Sequence, residues 1–244
     1  MRHLFLFLIL SVPGICKSQT VKVKDQYVVF GLSQIRESMN YGFVFSGPVI
    51  KYGRDWQWLM PDYRIELESS LGLSVVFKKG TGIDFHLTPL NFNYLFKLSD
   101  LLWLGPGIMT GYNYEFYPDL QTGHDFWFSH YSAGLAVFFE KVLPKRIIGI
   151  KISGSLFGFT SRTPENFNTL FFDIGFKDAL QDLHRNMNWS QLGRYNVTHF
   201  EISLKPVQSG RVSLSYLMDY AGFYKPPRWA RLDYGIKLTI LSRK

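Results

Sequence analysis

His130-Tyr131-Ser132 sets an imidazole and a hydroxyl two residues apart. On an extended strand, positions i and i+2 point to the same side. The two groups could then share a proton and make the serine a nucleophile. Such a pair needs a third group to orient the imidazole. Glu140 has the right parity ten residues on, and a neighbouring strand could instead supply Asn113 or Glu115. The competing reading is a hydrogen-bonding pair on an inner face. His130 and Ser132 share their face with Gly134, Ala136 and Glu140, whereas the opposite face reads Trp127, Tyr131, Leu135, Val137 and Phe139. Phe126, Phe128 and Phe138 blur that division. No other constellation suggests catalysis. The six histidines, His3, His86, His124, His130, His184 and His199, do not pair at metal-ligand spacing. His124-Asp125 reads as a solvated loop pair, and Gly105-Pro106-Gly107 falls on a strand rather than in a phosphate loop. No metal and no cofactor is expected.

The second polar constellation is spread along the chain. In Asp62–Lys78, Arg64, Glu66 and Glu68 alternate with Ile65, Leu67, Leu71 and Leu73 on the other face. The division recurs with Lys151 against Ile150 and Ile152, Glu201 and Lys205 against Ile202 and Leu204, Asp219 against Met218 and Tyr220, and Asp233 and Lys237 against Leu232 and Ile236. Charges on one face and aliphatics on the other over ten or more residues exceed the ~5–6 residues of ordinary strands. They match the ~9–11 residues that cross a bilayer with tilt. Ile65, Leu67, Leu71 and Leu73 are then expected to meet lipid. Arg64, Glu66, Glu68, Lys151, Glu201, Lys205, Asp219, Asp233 and Lys237 are expected to fill a narrow lumen as a salt-bridged network. A conducting pore is the sharper alternative.

The elements that would carry these faces are read at about 25–35, 40–50, 62–78, 83–96, 101–116, 126–141, 146–161, 195–207, 211–224 and 230–243. That makes an all-β antiparallel barrel of about ten strands. If the first two fail, eight remain, with 19–60 as a plug or arm. Turn residues at Lys79–Gly82, Lys97–Asp100, Leu143–Lys145 and Gln208–Gly210 punctuate them. Longer polar connections fall at 117–125, 161–194 and 224–229. Inside the longest, Phe176, Leu180, Leu183 and Met187 fall at helical spacing and predict a short helix near 176–187.

Composition agrees. Aromatics make up 17% of the 244 residues and charged residues only 19%, a balance suited to strands and interfaces. Met1-Arg2-His3, the apolar run Leu4–Val12, and Cys16-Lys17-Ser18 form the pattern of a secretory signal. Residues 1–18 are expected to be a signal peptide and 19–244 one barrel domain. Removing Arg2 and Lys17 lowers the net charge from +8 to +6, and Cys16, the one cysteine, leaves with them. No Lys/Arg run points to nucleic acid.

The last strand resembles the signal read by the barrel-assembly machinery: Asp233, Gly235, Leu238 and Ile240 supply a polar residue, a glycine two later and two spaced hydrophobics. The chain ends Leu241-Ser242-Arg243-Lys244, not on an aromatic. As a whole, 19–244 resembles a small outer-membrane β-barrel of the kind common in Bacteroidota-like Gram-negatives. The resemblance implies export to the outer membrane, contact with outer-membrane lipid and lipopolysaccharide, and the assembly machinery as a partner during biogenesis. It sets no oligomeric state. His130-Tyr131-Ser132 also resembles the His-x-Ser motif of two barrel lipid hydrolases, lipid A deacylase and outer-membrane phospholipase A, which implies Ser132 and His130 as a catalytic pair, with Glu140 the third member that parity offers beside Asn113 or Glu115. Three readings stand: a non-enzymatic barrel, a lipid hydrolase, and a soluble secreted β-rich binding protein.

Overall fold

The structure is a computed structural model that describes residues 20–119, 125–164, 181, 183–207 and 212–242. Its strands are β1 (Val21–Glu37), β2 (Val44–Leu59), β3 (Tyr63–Phe77), β4 (Thr81–Lys97), β5 (Leu102–Phe116), β6 (Asp125–Val142), β7 (Arg146–Arg162), β8 (Asn188–Gln191), β9 (Tyr195–Pro206), β10 (Val212–Phe223) and β11 (Trp229–Ile240). Each neighbour pair is antiparallel, and β1 pairs with β11 from Gln26↔Ile240 to Glu37↔Trp229, which closes the sheet. Among the described residues, closure leaves only the four-residue β8, paired on one side alone, with a free edge. Gly31 and Gly235 face each other across this seam, and a Cβ on Gly235 would press on the backbone of Phe30 and Gly31. Glycine here lets the first and last strands approach.

The barrel has ten wall positions. β8 and β9 share one of them, running in the same direction along β7: Asn188–Gln191 pairs with Phe157–Thr160, and Thr198–Pro206 pairs with Arg146–Gly154. Between them the chain bulges at Leu192–Arg194, where Gly193 has a φ of 90°. Residues 188–191, expected in a loop, are therefore wall. The eight-strand alternative, with 19–60 as a plug, is overturned because β1 and β2 pair along their length. β2 also runs to Leu59 rather than ending at 50. Lys51 and Asp55 both point inward, where they are ion-paired, and Trp56 and Trp58 continue the ladder to Leu67 and Ile65. Residues 38–43, where the second strand was expected to start, form the turn, with Tyr41 and Gly42 at φ 58° and 65°. The expected leader at 1–18, the turn at 208–210 and most of the helix near 176–187 lie outside the described residues. The described end of that helix, 183–186, is turn, with Asn186 at φ 58°.

Thr20 and Ser242 lie at one end of the barrel, with the connections at 60–62, 98–101 and 143–145. Residues 117–119, 163–164, 183–187 and 224–228 lie at the other, called here the outer end.

Alternation decides what each face meets. Outward side chains form a continuous apolar band across the paired strands: Phe30 beside Ile50 and Ile236, Leu73 beside Phe85, Tyr216 beside Ile202. These side chains are exposed. A band this extensive far exceeds the apolar patches of soluble monomers. Inward side chains are polar in the middle and apolar at the ends. At the outer end Ile35, Phe45, Val76, Tyr117, Phe128 and Trp229 belong to one buried cluster, with the Phe128 and Trp229 rings stacked at 4.5 Å. At the opposite end Leu95, Ala136 and Phe138 pack with Trp103.

Leu71 lies mid-strand in the band, 58% exposed, between Tyr52 and Leu87. Leu71→Arg is expected to cost about 2–4 kcal/mol if this face meets lipid, read as a lowered urea midpoint of the folded, membrane-inserted form. Single cysteines at 65, 67, 71 and 73 should react with a bilayer-soluble probe and resist an aqueous maleimide. Equal aqueous labelling of this face and of the Arg64 face would refute the assignment.

Candidate functional site

The inner wall brings together charges that are far apart in sequence. Starting at the outer end, Arg162 on β7 pairs with Glu37 on β1, and Trp229 and Tyr117 both donate to Glu115. One level down, Arg231 on β11 reaches across the lumen. It pairs with Asp84 on β4 and Asp233 on its own strand, and donates to Asn113 Oδ1 at 3.0 Å and His86 Nδ1 at 2.7 Å. Lys51 on β2 lies 2.7 Å from both Asp219 and Asp233. His199 Nδ1 is 2.6 Å from Asp219 Oδ1, and Tyr27 donates to Glu68. Farther in, Lys237 sits 3.2 Å from both Asp55 and Glu201, with its ammonium 4.0 Å from the centre of the Tyr27 ring. The last level joins Lys151 to Glu66 at 2.8 Å and Arg64 to Glu66 at 2.7 Å, with Glu140 3.8 Å from Arg64.

The nine residues expected to fill the lumen are therefore all on its wall. Lys205 lines a small cavity of about 40 Å³ with Arg64, Glu66 and Glu201. Sequence reading missed Lys51, Asp55, Asp84 and His86, and the network also takes in His199 and Arg231, whose parity sets them on the same faces as Glu201 and Asp233. The Asp84-x-His86 spacing puts that pair on one face and could have been found from parity. Lys51 and Asp55 were lost because β2 was ended early.

Small residues make room for large ones. Gly53 lies opposite Tyr27, Gly72 opposite His86, and Gly111 opposite His130, and a Cβ on any of the three would overlap the ring it faces. In a narrow barrel each ring takes the space of its cross-strand partner.

His130 and Ser132 both point into the lumen and are buried. They do not join: Ser132 Oγ donates to the Met109 carbonyl at 3.2 Å, and His130 Nδ1 has no hydrogen-bond partner among the described residues. None of the three orienting groups serves His130. Glu140 lies by Arg64, Asn113 accepts from Arg231, and Glu115 accepts from Trp229 and Tyr117. Phe128 and Phe138 share the inner face, the latter under the Arg64 guanidinium at 4.3 Å. The outer face of β6 is not bare near the outer end. Trp127 is 1% exposed, bonded to Ser161 and Thr163, and Tyr131 and Tyr112 reach His184 Nε2 at 2.7 and 3.0 Å. Among the described residues no group of His, Cys, Asp and Glu has the geometry of a metal site.

Asp233 of the expected assembly signal belongs to the inner network, and Gly235 to the seam. Leu238 and Ile240 face outward and are exposed.

No family model and no curated protein matches the sequence. Among solved structures, the outer membrane protease OmpT from Escherichia coli aligns with a TM-score of 0.47 at 8% identity, over 95% of this chain and 98% of that one. An outer membrane channel from Pseudomonas putida F1 aligns with 0.34 at 10% identity, over 94% and 97%. OprG from Pseudomonas aeruginosa aligns with 0.30 at 10% identity, over 90% and 97%. Likenesses this distant carry no argument about activity, and the barrel rests on its own strand registers.

Arg231, like Lys51 and Lys237, pairs with two carboxylates, and it also donates to Asn113 and His86. Arg231→Met leaves Asp84 and Asp233 partnerless on that side, and breaking a buried pair costs about 3–5 kcal/mol. The expected result is a lower unfolding temperature in detergent, followed by the heat-dependent gel shift, with partial recovery on adding Asp233→Asn. An unchanged midpoint in the single variant would show that Arg231 does not hold the lumen together.

Proposed function

We propose that this chain is an integral outer-membrane β-barrel whose lumen is closed by its own ion pairs, acting in the envelope as a membrane-embedded structural and binding protein rather than as an open pore. One observation carries the reading: charged side chains cross the interior from wall to wall while the exterior is a continuous apolar band. Buried charges of this kind are tolerated only when paired. The reverse arrangement would be expected of a soluble barrel, so the secreted binding-protein reading is disfavoured. The aromatic cluster at the outer end and the Lys151–Glu66–Arg64 level at the other leave cavities of about 110 and 40 Å³, small against a solute-conducting bore.

On this reading the apolar band contacts outer-membrane lipid and lipopolysaccharide. The last strand, with Asp233, Gly235, Leu238 and Ile240, is what the barrel-assembly machinery engages, after export directed by residues 1–18. The lipid-hydrolase reading gains nothing from the geometry, because Ser132 and His130 are neither bonded to each other nor turned toward the lipid band.

Two measurements test the proposal. The protein should fractionate with the outer membrane and show heat-modifiable gel mobility; recovery as a soluble periplasmic protein would overturn it. In proteoliposomes it should give no swelling in isosmotic sugars and no steady conductance in planar bilayers. Stepwise conductance from the wild type would replace the closed lumen with the narrow-pore alternative.

A further inference from the structure

The larger cavity is not a packing defect. It lies beneath the aromatic cluster, sharing Val197 and Ala221 with it, and has a volume of about 110 Å³. That is room for ~7 waters, taking about 15 Å³ of this kind of volume for each. Three side chains on its wall hold polar atoms that make no hydrogen bond: His86 Nε2, His130 Nδ1 and Asn91 Oδ1. Each of these residues is at least nine-tenths buried. Buried polar groups are nearly always satisfied, so a cluster of exceptions around one chamber calls for an occupant.

The chemistry of that occupant follows from what is already paired. Arg231 is taken by Asp84 and Asp233, Lys51 by Asp219 and Asp233, and Glu68 by Tyr27 and Asn91 Nδ2. A charged ligand would have to break one of these pairs. His199 is taken by Asp219 and Glu201, which leaves His86, His130 and Asn91 as the free groups. An arginine only donates, so His86 Nδ1, 2.7 Å from Arg231 Nη2, is an acceptor and the ring proton sits on Nε2. His86 therefore offers a donor and Asn91 Oδ1 an acceptor. Val29, Met109 and Leu217 line the cavity as an apolar side. Hydroxyls both donate and accept, and a carbon chain suits that apolar side.

We infer that this chamber is a binding site for a small neutral polyol of about glycerol to erythritol size. The inference rests on the closed-barrel reading and names what the closed lumen holds. The test uses the full mature protein in detergent, labelled with ¹⁵N at histidine, titrated with three four-carbon probes: erythritol, tartrate and putrescine. Erythritol should shift the ring signals of His86, His130 and His199 saturably and leave His184, on the outer wall, unmoved. Tartrate and putrescine should shift none of them. Asn91→Leu, which removes the acceptor and fills space, should weaken the erythritol response at least tenfold. If that variant does not fold, the wild-type selectivity among the three probes still decides. No response to any probe would mean a chamber of water only. A response to the charged probes as strong as to erythritol would mean the neutral class is wrong, and His184 shifting with the rest would mean a bulk effect. Each result overturns the inference. Heat-modifiable mobility of the same sample reports separately on the barrel, so failure of the site and failure of the fold are distinguishable.

Discussion

The Arg231 guanidinium is the hub on which the interior depends. It starts from the last strand and reaches Asp84, His86 and Asn113 on the opposite wall, while also holding Asp233 beside it. Asp233 in turn shares Lys51, and Lys51 shares Asp219, which is bonded to His199. One planar cation with several donors can serve this many partners where a lysine could not. The chain of shared partners ties β2, β4, β5, β9, β10 and β11 into one electrostatic unit. Its parts are strong only together, because in a low-dielectric interior a missing partner exposes the full desolvation cost of the other.

That constraint explains why the barrel is filled as it is. Ten walls enclose too little space for rows of long side chains at every inward position. The sheet responds by alternating bulk around the ring: Tyr27 over Gly53, His86 over Gly72, His130 over Gly111. Apolar clusters then cap the polar middle at both ends. The result inverts a soluble protein. Charged side chains pair across its inside, and its exterior carries an apolar band.

The candidate site follows the same logic. The Ser132–His130 spacing was a fair chemical signal, since parity does place both on one face. The structure keeps them on one face but uses them separately. Ser132 bonds the neighbouring backbone, while His130 fills the space above Gly111 and edges the chamber. The larger polar group sits one level over, around His86, His199 and Arg231. Its members come from separate strands, so no local motif announced it.

Which residues look inward and which outward was legible from the chain alone, because a strand's period of two ties side-chain direction to position. Long runs of charged-against-aliphatic alternation have no other simple reading. The approximate number of strands and most of their limits followed from the same pattern. It failed where the second strand was ended at 50, short of Lys51 and Asp55, and where a bulge sets off a short strand, as at Asn188–Gln191. Who meets whom was settled by the closed ring and by nothing shorter. Arg231 and Asp84 are 147 residues apart, and Lys237 and Asp55 are 182 apart. Their pairing depends on the stagger of the strands and the closing of β1 on β11, a property of the whole ring that no single strand contains.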